Sequence, residues 1–155
     1  MTTLNKYLKS SAKIHPEYYE YQLNFDGCSR GNPGLAGAGT VLYKDGVEIW
    51  SNNLFIGENC TNNQAEYAGL ILGLTEANVR SIKKLKVEGD SLLIINQLKG
   101  VYECKSSNLQ ILYDKALMLS NLFEKIEFCH VFRHNNKRAD ELSNIAVDNY
   151  LKSNK

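Results

Sequence analysis

Four acidic residues carry the chemistry open to this chain: Asp26, Glu66, Asp90 and Asp140. Asp26 closes a stretch in which Tyr21, Leu23 and Phe25 alternate with Gln22 and Asn24, the period of a half-buried strand. Glu66 falls in the first turn of a helical pattern, QAEYAGLILGLTEANV. Asp90 follows the alternating Leu85, Val87 and Gly89, and Asp140 lies one turn into a last helical pattern that Asn136 opens. Taken singly, each acid has an ordinary explanation. Carboxylates decorate strand ends, and an acid near a helix start offsets the macrodipole. Taken together, four carboxylates converging on one point would repel one another unless cations sat between them. Oxygen-only ligation suits Mg²⁺ or Mn²⁺. Two such ions about 4 Å apart form a clamp that activates water and stabilises the leaving oxygen in phosphodiester hydrolysis.

Convergence depends on the elements that carry the acids. Beyond Asp26 come Gly27, Gly31, Asn32, Pro33, Gly34, Gly37 and Gly39, a glycine-lined turn in which Pro fixes φ and Gly accepts positive φ. Thr40, Val41, Leu42 and Tyr43 then return as an antiparallel strand, and Val47 to Ile56 make a third. The rhythm changes at Cys60-Thr61-Asn62-Asn63, where Asn62 or Asn63 is the expected N-cap of the first long helix. Gly69 and Gly73 are read as close-packing positions on that helix. After the fourth strand, Ser91 caps a short helix, LLIINQLK, closed by Gly100. Asn108 to Phe123 form a third helical pattern, and Ile126, Phe128, His130 and Phe132 alternate as a fifth strand. Asn136 to Leu151 complete the chain.

The fold class expected is α/β: a mixed five-stranded sheet, three antiparallel strands then two parallel, with helices on both faces. If the first and fourth strands are neighbours, Asp26 and Asp90 emerge side by side, and two helix starts can bring Glu66 and Asp140 to them. Residues 1–20 read as an N-terminal extension, with Leu4, Tyr7, Leu8, Ser11 and Ile14 at helical spacing until His15-Pro16 stops the pattern. The domain proper is expected over 21–151, and 152–155 as a C-terminal tail.

Composition narrows the classes without choosing among them. The 155 residues suit one domain. Lys and Arg number 18 against 17 Asp and Glu, so any basic footprint for nucleic acid must be local. No apolar run approaches the roughly 20 residues that span a bilayer, and the N-terminus lacks a secretory apolar segment. Cys28, Cys60, Cys104 and Cys129 form no C-x-x-C pair, which suits neither a zinc site nor a disulfide framework. An intracellular protein, cytoplasmic or nuclear, with reduced thiols is the expectation, monomeric and without an obligate protein partner.

Four segments, FDGCSRGNPGLAGAG, TNNQAEYAGLILGL, VEGDSLLIINQL and NKRADELSNIA, stand in an order and at distances similar to those of type 1 ribonuclease H in its short form, without an added hybrid-binding domain. The resemblance covers roughly residues 21–150. It implies a Mg²⁺-dependent endonuclease, with two ions and Mn²⁺ as an alternative, that cuts RNA within an RNA/DNA hybrid. It implies that Asp26, Glu66, Asp90 and Asp140 are the metal-binding catalytic acids. Asn32, Thr61, Asn62, Asn63 and Gln64 match substrate-holding positions, with Thr61 in a pocket for a DNA-strand phosphate and Asn63 and Gln64 near the RNA 2′-hydroxyls. Recognition of RNA by 2′-hydroxyls across a wide, shallow minor groove needs short polar groups of that kind. A helix start with free N–H groups would add a phosphate site.

Three further residues have two readings each. Tyr102 stands where the family usually has Trp, a platform for a DNA sugar, or else is a core or rim tyrosine. Cys28 lines the edge of the acid site or is a small buried residue. His134, in the short run Arg133-His134-Asn135-Asn136, is a catalytic histidine or a phosphate contact that caps a turn; His130 is placed within the fifth strand. The region after the second helix carries only Lys99 and Lys105 in place of a basic handle, so weak, salt-sensitive binding is expected. Other functions on the same architecture would be an integrase-like strand transferase, an exonuclease, or an inactive hybrid-binding module. Retention of all four acids speaks against the last.

Overall fold

The computed structural model describes residues 17–154; the helical spacing read over residues 1–14 lies outside the described residues. Five strands form one sheet in the order β3-β2-β1-β4-β5: β1 (Tyr21–Arg30), β2 (Gly34–Lys44), β3 (Val47–Cys60), β4 (Lys84–Gly89) and β5 (Lys125–His130). The pairs β1–β2 and β2–β3 are antiparallel, whereas β1–β4 and β4–β5 are parallel. Four α-helices accompany it: α1 (Asn62–Val79), α2 (Leu92–Leu98), α3 (Ser107–Ser120) and α4 (Lys137–Ser153).

The alternation along β1 and β2 divides the core. Leu23, Phe25 and Leu42 pack with Tyr67, Leu70 and Leu74 of α1 and with Ile94, Ile95, Leu109 and Ala116 of the next two helices. Val41, one residue out of phase with Leu42, packs on the other side against Ala139 and Leu142 of α4. Helices therefore cover both faces, as expected. Among the described residues, no helix is long and apolar enough to cross a membrane.

Several boundaries differ from the sequence expectations; α3 ends at Ser120 rather than Phe123, and α4 runs to Ser153, into the expected tail. The first hairpin does not break at Gly27: β1 runs on to Arg30, and β2 starts at Gly34 rather than Thr40, leaving only Gly31-Asn32-Pro33 as the turn. Gly37 and Gly39 are strand residues, and a Cβ on either would meet the α4 backbone, at Ser143 O and at Ala139 O. Strand β3 extends past Ile56 to Cys60, since its pairing with β2 continues to Gly34. The N-cap of α1 is Thr61, not Asn62 or Asn63: its hydroxyl accepts from Gln64 N while Gln64 Oε1 accepts from Thr61 N, a capping box. At the far end, β5 stops at His130, and Phe132 is exposed beside a single 3-10 turn over Arg133–Asn135.

Candidate active site

Connections from β1 run toward β2 and β3, while those from β4 run toward β5. The crevice beside the carboxyl ends of such strands is where ligands settle in open α/β sheets. Phe25 pairs with Gly89 in the parallel register, so Asp26 and Asp90 are the next residues on neighbouring strands. Asp26 is 4% exposed and accepts a hydrogen bond from Gly27 N at 2.9 Å. Glu66 reaches the same point from α1 and is 6% exposed. One carboxylate oxygen from each of Asp26, Glu66 and Asp90 lies within 4.8 Å of the other two. Asp140 lines the same recess, of about 600 Å³, but stands outside that trio. Glu66 therefore acts from the second turn of its helix, not the first, and does not offset the macrodipole.

Two glycines set this geometry. A Cβ on Gly27 would lie 2.3 Å from Glu66 N and 2.4 Å from the Ala65 carbonyl carbon, so only a bare backbone lets α1 approach β1. Gly39 is the cross-strand partner of Asp26, and a Cβ there would lie 2.2 Å from Ala139 O. It thereby admits the first turn of α4, which carries Asp140.

Burial pushes the Asp26 carboxyl up to about 7, with the Asp90 and Asp140 charges adding to the rise against a hydrogen bond with Glu66. Burial, then the Asp26 charge, holds Glu66 well above the usual carboxylate range. Glu66 Oε2 is fully buried and has no hydrogen-bond partner among the described residues. A buried, unpartnered carboxylate oxygen facing two more acids is costly without a cation. The donor set, all carboxylate oxygens, fits a hard divalent ion.

Sequence reading missed the residue that joins these acids to the sheet. Asn136, 2% exposed, precedes α4 but does not cap it with its side chain. Its Nδ2 donates to Phe25 O at 2.9 Å and to Asp90 Oδ2 at 3.1 Å, and its Oδ1 accepts from Asn24 Nδ2 at 3.0 Å. Asn24 also reaches Glu88 at 3.3 Å. The signal available was Asn24 itself, a polar residue on the same face of β1 as Asp26.

Of the expected substrate residues, Asn62 and Asn63 line the acid recess, Asn32 and Thr61 line a neighbouring groove, and Gln64 and Tyr102 line neither. Asn63 also lines that groove, of about 490 Å³, where it is joined by Asn32, Thr61, Lys105 and Asn108. Asn62 lines the recess, and its N–H donates to Asn32 Oδ1 at 3.0 Å. Since Gln64 N is taken by Thr61, the helix start has fewer free N–H groups than expected. Cys28 is half-buried, lines the recess and donates weakly to Ser143 O at 3.5 Å. Tyr102 is not a core residue: it is 45% exposed on the loop after α2, outside the groove lining. His134 does not line the recess; its ring stacks on Phe132 with centroids 6.0 Å apart. Arg133 lines it instead. His130 is exposed at the end of β5.

Residues 24–146 match the family model described as "Reverse transcriptase-like". The chain is 40% identical over 125 residues to the Ribonuclease HI of Halobacterium salinarum, covering 80% of this chain and 62% of that protein. It is 34% identical over 146 residues to the Ribonuclease H of Pseudomonas fluorescens, covering 82% of this chain and 90% of that one. Several mycobacterial relatives are longer still, and this chain spans 34% of their length. Among solved structures, LC11-RNase H1 in complex with an RNA/DNA hybrid superposes with a TM-score of 0.79 at 35% identity, covering 84% of this chain and 99% of that one.

Proposed function

The chain belongs to the type 1 ribonuclease H family, and we propose that it is a metal-dependent endonuclease that hydrolyses the RNA strand of RNA/DNA hybrids. The observation that carries this reading is the trio of Asp26, Glu66 and Asp90, whose oxygens lie within 4.8 Å of one another with Glu66 Oε2 unpartnered. The similarity to an enzyme solved on such a hybrid supports the choice of substrate.

Asp26, Glu66 and Asp90, with Asp140 beside them in the recess, would hold the divalent ions, for which we propose two Mg²⁺. Bound there, such ions would supply the acidified water and the charge neutralisation that phosphodiester hydrolysis needs. Asn136 fixes the Asp90 carboxylate against β1, so the oxygens meet the ions with little reorganisation. Burial favours the neutral forms of Asp26 and Glu66, so divalent-ion binding should weaken as the pH falls.

Selection of RNA falls to the polar rim. Gln64 Oε1 is held by Thr61 N, which leaves its amide NH₂ free to donate to a 2′-hydroxyl oxygen. Asn63, placed between recess and groove, can meet the RNA strand while Thr61, Lys105 and Asn108 in the groove take a phosphate of the DNA strand. Contacts to 2′-hydroxyls and phosphates carry no base information, so cleavage should be independent of sequence.

The test is a cut-pattern assay on one sequence prepared as hybrid, DNA duplex and RNA duplex, with Mg²⁺ and with EDTA. Cleavage confined to the RNA strand of the hybrid, blocked by EDTA and by 2′-O-methyl groups flanking the cut, is expected. Efficient nicking of the DNA duplex would instead support an integrase-like activity.

A further inference from the structure

Asp140 differs from the other three acids in what holds it. Asn144, one turn further along α4 and on the same face, donates from Nδ2 to Asp140 O at 3.0 Å and toward Asp140 Oδ1 at 3.4 Å. Asn144 Oδ1 accepts from Arg30 Nη2 at 3.2 Å, and the same nitrogen lies 3.4 Å from Asn144 O. Arg30 Nη2 is also 2.9 Å from Asp148 Oδ1. Arg30 is the last residue of β1, the strand that carries Asp26. An unbroken chain of polar contacts therefore runs from that strand to the one acid outside the trio.

We propose that Arg30 and Asn144 form a latch that positions the Asp140 carboxylate, and that this latch sets the affinity for a second divalent cation without touching the first. The proposal rests on the metal-site reading above. The amide polarity is what makes it work. Asn144 turns its oxygen to the guanidinium and its NH₂ to the carboxylate, so it transmits orientation and carries no charge. A guanidinium in direct contact with Asp140 would compete with a cation for the same oxygens. Asp148 and the Asn144 oxygens hold Arg30 back from that contact. Arg30 and Asp148 are both more than a third exposed, so the pair contributes little to stability. Its value lies in where it leaves Asp140, much as hydrogen-bond partners orient metal ligands elsewhere.

The experiment is calorimetric titration of the metal-stripped full chain with Mn²⁺, for wild type, Asn144→Ala, Arg30→Met and Asp140→Asn. Wild type is expected to show a tighter and a weaker class of site, and Asp140→Asn to lose the weaker one. Asn144→Ala and Arg30→Met should each weaken that class by about tenfold. The tighter class should stay within about twofold, and the metal-free melting temperature within a few degrees. A weaker class that Asp140→Asn removes but neither latch variant alters overturns the latch and leaves the metal site standing. A single class untouched by Asp140→Asn overturns the assignment of Asp140 itself, and the latch with it. Equal weakening of both classes, with a large fall in melting temperature, assigns the two residues a general structural role and also overturns the proposal.

Discussion

Gly27 stands so near the start of α1 that a Cβ on it would sit 2.3 Å from the backbone nitrogen of Glu66. The obstacle is backbone, with no flexible side chain to swing away. The glycine immediately after Asp26 therefore decides how close Glu66 can come to it. Gly27→Ala should force α1 from the sheet at a cost of about 1–3 kcal/mol or more, the usual range for overpacking. Divalent-ion affinity should fall with it. Thermal unfolding with and without Mg²⁺ checks this: the variant should melt lower and gain less from the metal.

Protonation of the trio gives a pH signature in the absence of metal. The folded-state value for Asp26, about 7, lies above its ordinary value near 3.8, so the folded protein holds the proton more tightly than the unfolded chain. The contribution is then fully present below pH about 4 and lost as the pH rises through about 7. Glu66 is shifted in the same direction. In EDTA, Asp26→Asn should match wild type in melting temperature near pH 4 and exceed it near pH 8, because the variant loses the repulsion. Melting curves across that range are the check. A wild type that gains stability over Asp26→Asn as the pH rises would reverse the sign and refute it.

Much of this was legible in the chain, for a physical reason. The period-two alternation of Leu23 and Phe25 and the helical stripe through Leu70 and Leu74 reflect burial, which the sequence must encode in residue type. The order of elements and the neighbouring exits of Asp26 and Asp90 followed. Boundaries followed less well. Glycine at 37 and 39 reads as loop locally, yet it serves a contact with α4 over a hundred residues away. Thr61 outcompeted Asn62 as cap through its reciprocal bond with Gln64. The partners of Asn136 at Phe25, Asn24 and Asp90 are likewise tertiary, and no local pattern announces them.

Asn136 is therefore a position where a small change should have two effects at once. Asn136→Ala removes a donor from Phe25 O and from the half-buried Asp90 Oδ2, and the acceptor of Asn24 Nδ2, at a cost of about 1–3 kcal/mol. Freed of its partner, Asp90 should also lower kcat by about tenfold or more. Denaturant unfolding and steady-state cleavage of a hybrid measure the two separately. A stable variant with unchanged kcat would deny the positioning role.

His134 and Arg133 should separate cleanly. His134 stacks on Phe132 away from the recess, whereas Arg133 lines it. General acid–base help is typically worth about 10²–10⁴-fold, so His134→Ala should lower kcat by less than about tenfold. Arg133→Ala should chiefly raise KM through a lost phosphate contact, and less so at higher salt, because the variant releases one fewer counterion on binding. Steady-state kinetics of both variants from about pH 6 to 9 decide between these roles. A hundredfold fall in kcat for His134→Ala at constant KM would return that histidine to the chemistry.

Asp26, buried beside Glu66 and Asp90, is the residue we assign to the metal that would cut the RNA strand. Single-turnover cleavage of a labelled RNA/DNA hybrid by Asp26→Asn, alongside its binding affinity for the same hybrid, tests that assignment most directly. The substitution keeps size and fold while removing one charge from the trio. Cleavage should fall by about a thousandfold or more with Mg²⁺ present, and hybrid affinity should stay within about threefold. Cleavage at the wild-type rate would contradict the assignment of this site.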